Sequence, residues 1–424
     1  MYTMRITKVM AREVLDCRGL PTVQADVWID DAVLGRSDVP AGRSTGRYEA
    51  RELRDGGERF GGFGVRTAVS NVTETIAPAL VGRPAVPQRA VDQFLIELDG
   101  TVDKSGLGAN AILAVSLATA RAAAAAYGMP LYRYLSADAR ILPVPQVNLI
   151  NGGLHASNDL DFQEFIIMPV GVQNFLESME ISTEVNLVLH DLVVSRYGKI
   201  AANVGDEGGY APPITEPAEA LELLHLAVEK AGYQDQITYG LDCAATHLYD
   251  EGSGTYTMAG RKYDRDGMIE LYGTLVPEYG IVSIEDPLYE DDFEGFADLT
   301  RELGIQIVGD DLFTTNLERL RRGIEGGAAN ALLLKVNQVG TLSEALQAAA
   351  LATRNGYSVV VSERSGETED AMISDLVVAL NAGQIKTGAP VRGERTSKYN
   401  ALIRIEEELG PVAAFAGRAY RSPV

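Results

Sequence analysis

Along the first forty residues apolar and polar positions alternate as they do in half-buried strands, over 4–12 and 21–29 (PTVQADVWI), with a third candidate at 33–39. A Gly/Ser/Thr-rich loop, Pro40 to Gly46, follows. Helical periodicity then occupies 64–80, 88–98 and 108–126. Strands first and helices afterwards predict an α+β unit. The stretch ARILPVPQVN, with Pro143 and Pro145, marks a crossing into a second unit, and the expected domains are 1–138 and 139–424.

Beyond that crossing the rhythm changes. Short apolar runs recur, each ending in a polar or charged residue: TYGLD at Asp242, YGIVSIE at Glu285 and IQIVGD at Asp310. ALLLK at Lys335, YSVVVSER at Glu363 and Arg364, and GQIK at Lys386 continue the series. From Glu285 onward the spacing is 23 to 28 residues, with helical patterns such as Leu317–Glu325, Thr341–Asn355 and Glu369–Ala382 between. A strand plus a helix in each such interval predicts a (β/α)8-type barrel, which takes about 250 residues. The fold class is therefore α/β, a C-terminal TIM-like barrel with a smaller N-terminal α+β domain. In such a barrel, residues at the carboxyl ends of strands face the site. One polar residue after a strand needs only a polar loop to explain it; six at equivalent positions point to chemistry.

Composition narrows the function classes. The chain has 424 residues, 46% hydrophobic and 23% charged, which is a globular composition with ample core material. Its net charge of -22 repels nucleic-acid phosphate and anionic membranes, so neither is expected as a partner. Two cysteines, Cys17 and Cys243, are too few for a disulfide framework and fit no zinc motif. The opening residues lack an apolar run followed by small residues, and Arg121 interrupts the apolar stretch from Ala109 to Tyr127. A cytoplasmic protein with a buried Ala-rich helix is expected.

Asp242, Glu285 and Asp310 present hard carboxylate oxygens from successive strands, a donor set suited to Mg2+. A single Asp more often caps a helix or pairs with Arg, but three converging negative charges call for a cation. Lys335 and Lys386 are expected across the mouth from that metal, where neighbouring cations would lower a lysine's pKa and make it a base. Salt bridging is the plain alternative for both. Arg364 and Ser365 suit a phosphoryl group, so the substrate expected is a phosphorylated carboxylic acid whose enediolate the metal stabilises. The loop DFQEF adds Gln163 and Glu164, GDEGG adds Asp206 and the candidate general acid Glu207, and NGGLHASN adds His155 as a phosphate contact.

Taken together, STGRYEARELRDG, GANAILAVSLA, NLINGG, QEF, GDEGG, SIEDP, GDDLFTTN, LLLKVNQVGTLSEA, RSGETED and GQIKTGAP resemble the enolase family, in a match running from residue 14 to residue 410. The resemblance implies an N-terminal α+β domain, an atypical (β/α)8 barrel, a homodimer or higher homo-oligomer, and interconversion of 2-phosphoglycerate and phosphoenolpyruvate. It implies Mg2+ ligation by Asp242, Glu285 and Asp310, with Ser44 on the mobile loop joining a second Mg2+ during turnover. Lys335 would be the base, Glu207 the acid helped by Glu164, Arg364 and Ser365 the phosphate contacts, and Lys386 the carboxylate contact. A lysine base beside one or two Mg2+ ions is the pattern of that superfamily.

Three loops depart from the family's pattern. Glu363 stands where S-H-R-S-G-E-T has histidine, Arg43 enters the loop S-G-A-S-T-G, and Leu154 replaces the serine of N-G-G-S-H-A. Arg43 offers a forked donor for an additional carboxylate or phosphoryl oxygen, and Glu363 adds an acid near Glu207. Both are candidate substrate contacts, or they pair with each other across the closed loop. Two alternatives follow. One is a paralogue resembling carboxyphosphonoenolpyruvate synthase, acting on a phosphonylated substrate. The other is an inactive enolase-fold binding protein, against which the retention of all three carboxylates and both lysines argues.

Overall fold

The computed structural model of the protein describes residues 4–422. Three antiparallel strands open it, β1 (Ile6–Leu15), β2 (Pro21–Ile29) and β3 (Val33–Asp38), in that spatial order. β1 runs past the expected end at residue 12 because Glu13, Val14 and Leu15 continue the ladder against Val23, Thr22 and Pro21. Val23, Ala25, Val27 and Ile29 of β2 are buried, and the helix Ala109–Ala126 packs on this sheet. By length and composition that helix could cross a membrane, yet 83% of it is buried inside the fold. Small side chains serve close approach here: a Cβ on Gly35 of β3 would strike the backbone of Ala118 and Ala122.

The helix expected over 64–80 is a chain of segments, Arg66–Ser70, a wider π turn at Asn71–Ile76, and Ala77–Leu80. Pro78 is the physical cause. It has no N–H to give and its ring crowds the carbonyl four residues back, so the ladder widens before it. The helices Gln88–Asp99 and Ala109–Ala126 lie within a residue of expectation.

Eight strands then close a barrel in chain order. They are β4 (Val144–Asn151), β5 (Glu164–Met168), β6 (Thr238–Asp242), β7 (Ile281–Glu285), β8 (Gln306–Gly309), β9 (Ala331–Leu334), β10 (Ser358–Ser362) and β11 (Gly383–Lys386). The regular strand–helix alternation holds only from β6 onward. β5 runs antiparallel to both β4 and β6. An antiparallel pair needs no crossover helix, and residues 152–163 join β4 to β5 without a long one. Two helices in succession, Phe175–Tyr197 and Pro217–Ala231, then return the chain for β6. Inside the barrel Gln146, Gln306 and Gln384 exchange hydrogen bonds of 2.8–3.0 Å with one another and with Ser283 and Ser358. These satisfied buried amides form a polar floor beneath the strand ends.

Candidate active site

Barrel geometry delivers the predicted residues to one rim. Asp242, Glu285 and Lys386 are the last residues of β6, β7 and β11, while Asp310, Lys335 and Glu363 directly follow β8, β9 and β10. Because β5 runs the opposite way, its first residue, Glu164, reaches the same rim, in register with Asn151 on one side and Asp242 on the other.

Lys386 does not face the carboxylates across a mouth, as the strand spacing suggested. It is inserted among them, with Nζ 2.7 Å from Asp242, 2.8 Å from Glu285 and 2.9 Å from Glu164. Burial disfavours its charge, but Asp242, Glu164 and Glu285 hold its pKa well above the ordinary value. Lys335 takes the third carboxylate: its Nζ lies 2.5 Å from Asp310 Oδ2, and Gln338 donates to Oδ1 at 2.8 Å. The expected depression of Lys335 is therefore reversed in the protein alone. Burial lowers its pKa, yet Asp310 overrides that and holds the ammonium above its usual value.

Among the described residues, two groups of side chains bring ligand atoms within 4.8 Å of one another, His155 with Glu164 and Glu207, and Asp286 with Asp310 and Asp311. The predicted trio is thus gathered through two lysines rather than by mutual contact. Glu285 Oε1, Glu164 Oε2 and Gln163 Oε1 are buried without a hydrogen-bond partner. Unpaired buried oxygens are costly, and a hard divalent cation is the partner that this oxygen donor set suits. Burial and the neighbouring Asp242 charge push Glu285 well above the carboxylate range.

Opposite these, Glu207 accepts from Asn148 at 2.9 Å and Asn151 at 3.2 Å, and its other oxygen lies 3.1 Å from His155 Nδ1. Burial raises its pKa, but His155 pulls it well below the usual range; burial and the Glu207 charge push Glu164 well above it. The two neighbouring carboxyls are thus pushed in opposite directions. Gly208, at φ 88°, makes the tight turn that presents Glu207.

The side expected to receive phosphate is occupied by protein. Arg364 donates to Glu49 at 2.9 and 3.2 Å, to Asn337 at 3.1 Å and to the carbonyl of Ser44 at 2.8 Å. Ala41 and Gly366 exchange backbone hydrogen bonds of 2.8 and 2.9 Å, and the Ser365 hydroxyl accepts from the Arg43 amide at 2.8 Å. The loop carrying Ser44 is thereby zipped onto the loop carrying Arg364, leaving Ser44 half-buried at the site's edge.

Of the two readings of Arg43 and Glu363, the pairing of one with the other does not form. Arg43 is exposed and meets Asp206 at 3.0 Å. Glu363 points into the buried rim, where Arg395 of the helix Gly393–Leu409 and the Thr387 hydroxyl, at 3.1 Å, donate to it. Burial, opposed by Arg395, pushes the Glu363 carboxyl up to about 8. Leu154 remains largely at the surface, 43% exposed.

Sequence reasoning missed Glu49, Asn148, Asn151 and Arg395. The first three lie inside STGRYEARELRDG and NLINGG, motifs noticed without roles for these positions. Arg395 lies in a charged helical stretch that reads as solvated surface, and no local signal marks it.

Comparison with known proteins is consistent with this arrangement. The family model described as "Enolase, N-terminal domain" matches residues 6–135, and that described as "Enolase, C-terminal TIM barrel domain" matches 139–424. The protein named Enolase in Thermococcus gammatolerans is 59% identical over 423 residues, covering 99% of this chain and 98% of its own. Those of Methanocaldococcus jannaschii, 59% over 419 residues, and Pyrococcus furiosus, 58% over 421 residues, are covered to 98% of their length by 99% and 98% of this chain.

Proposed function

The chain belongs to the enolase family, and from that premise we propose that it is a magnesium-dependent hydro-lyase converting 2-phosphoglycerate to phosphoenolpyruvate. One observation carries the reading: Asp242, Glu285 and Asp310 share a barrel rim with two lysines whose ammonium groups contact them. Asp242, Glu285 and Asp310 would hold magnesium, with Ser44 joining a second ion during turnover. When bound, magnesium supplies stabilisation of the negative charge that develops on the substrate carboxylate.

Lys335 takes the proton from carbon 2, and for this its ammonium must first give up the proton that Asp310 now favours. The Glu164–Glu207 pair, with His155 against Glu207, supplies a proton to the departing hydroxyl on carbon 3. A carbon–carbon double bond forms and water leaves. Arg364 and Ser365 hold the phosphoryl group, which takes the place of Glu49 on the guanidinium, one anion exchanged for another. Lys386 faces the substrate carboxylate, and Gln163 lines that side.

The phosphonylated alternative drew on a free Arg43. With its guanidinium on Asp206, no observation favours that substrate. An inactive scaffold would have no use for buried lysines among acids, an arrangement that costs stability to maintain. We place the protein in the cytoplasm as a homodimer or higher homo-oligomer, with domains 1–138 and 139–424.

Purified protein given magnesium and 2-phosphoglycerate is expected to generate the ultraviolet absorbance of the enol product. A chelator should stop it and added magnesium restore it. Absence of turnover in both states refutes the reading.

A further inference from the structure

Arg395 is a buried cation with no part in the chemistry above. The Arg395 side chain is 0% exposed. Its Nη2 donates to the carbonyl of Asp206 at 2.9 Å and to that of Ser365 at 2.7 Å. Its Nη1 donates to the carbonyl of Arg364 at 2.9 Å and to the Glu363 carboxylate. The Asp206 carbonyl belongs to the peptide unit that leads into Glu207, and the carbonyls of Arg364 and Ser365 lie on either side of Ser365. A single guanidinium therefore spans the loop of the acid pair and the loop that receives phosphate.

We propose that Arg395 is a positioning residue, whose planar fork fixes the Glu207 loop against the Arg364–Ser365 loop, with Glu363 as its fourth anchor. The role suits arginine and not lysine. Four acceptors in different directions need the several fixed donors of a guanidinium, whereas an ammonium is a compact charge with three. The hydrogen bonds of Arg395 do not reach Lys335 or Asp310, which follow β9 and β8 on another part of the rim. Removal of a carbon-bound proton and protonation of the leaving hydroxyl should then respond differently to its loss. This inference rests on the hydro-lyase reading, and its test contains one arm that does not.

The variant Arg395→Lys keeps the charge and loses the fork. Dehydration of 2-phosphoglycerate should fall about 100-fold, the effect of a misplacement near 1 Å, and KM should rise through the phosphate loop. Deuterium exchange at carbon 2 should stay within a few-fold of wild type. Equal losses in both reactions would overturn the proposal. Because Arg395→Met alone strands the buried Glu363, the double variant Arg395→Met/Glu363→Met tests the same point in a chain without that unpaired charge. It should fold and still lose dehydration; full activity there would reduce Arg395 to a counter-charge and overturn the proposal. Backbone amide exchange is the arm independent of turnover. In Arg395→Lys, segments 205–209 and 363–367 should both exchange faster, and unchanged rates overturn the proposal. A wild-type protein without turnover would instead sink the functional reading alone.

Discussion

Lys335 shows how far one side chain depends on its neighbour. In the protein alone it is an ion-pair donor to Asp310, and only as a neutral amine can it take a proton from carbon. Lys335→Ala should therefore abolish deuterium exchange at carbon 2 and lower dehydration by about 10²–10⁴-fold, the usual worth of a positioned base. Binding of 2-phosphoglycerate should persist, read by calorimetry. If exchange survives in this variant, another group is the base. The position of Lys335 was legible because it ends an apolar run in a spaced series. Its ionisation was not, because that depends on a carboxylate 25 residues away that only the closed barrel brings to 2.5 Å. The alternative pairing of Arg43 with Glu363 failed for a similar reason: two opposite charges in neighbouring loops look like partners until burial separates them.

At the scale of elements, β5 is the informative strand. Its antiparallel course makes its first residue, rather than its last, a rim residue, so Glu164 enters the site against the rule that served every other strand. Spacing from Glu285 onward identified the repeating units because each strand there carries its own crossover helix. The first strands of the barrel escaped that count because a direct connection and two consecutive helices break the period. The N-terminal sheet makes a sharper demand. β3 lies against the helix Ala109–Ala126 with no room for a Cβ at Gly35, so Gly35→Ala should lower stability by about 1–3 kcal/mol, the cost of overpacking. Chemical denaturation of both forms measures this, and an unchanged midpoint would show that sheet and helix can separate freely.

Across the whole molecule, the two domains are clasped by Asp370. It accepts from both Arg121 Nη atoms at 2.6 Å, and from the Ser37 hydroxyl and the Asp38 amide at 3.0 Å. Burial would raise its pKa, but Arg121 holds it below the ordinary 3.8. A depressed carboxyl stabilises the fold above its ordinary pKa and loses that contribution as pH falls through the folded value. Asp370→Asn should cost about 1–3 kcal/mol at neutral pH, as weakening a charged hydrogen-bond cluster that is partly buried does, and should flatten the acid limb of the stability profile. Parallel acid limbs in the two proteins would assign the titration elsewhere. Magnesium should raise the unfolding temperature, by an amount equivalent to about 2.7 kcal/mol at 100 times its dissociation constant, and a chelator should reverse it. No shift would mean that the acidic rim does not bind the ion in the folded protein.

Local pattern determined the strands and helices of the N-terminal unit, the barrel class, and which carboxylates and lysines lie at strand ends, because periodicity and strand polarity are properties of short stretches of chain. Tertiary structure alone decided which lysine sits among which acids, that Glu49 holds Arg364, that Glu363 turns inward to Arg395, and that the carboxyls of Glu164 and Glu207 are pushed in opposite directions. Those outcomes depend on burial and on Coulomb interactions over a few ångströms between residues distant in sequence. Such distances exist only once the barrel has closed.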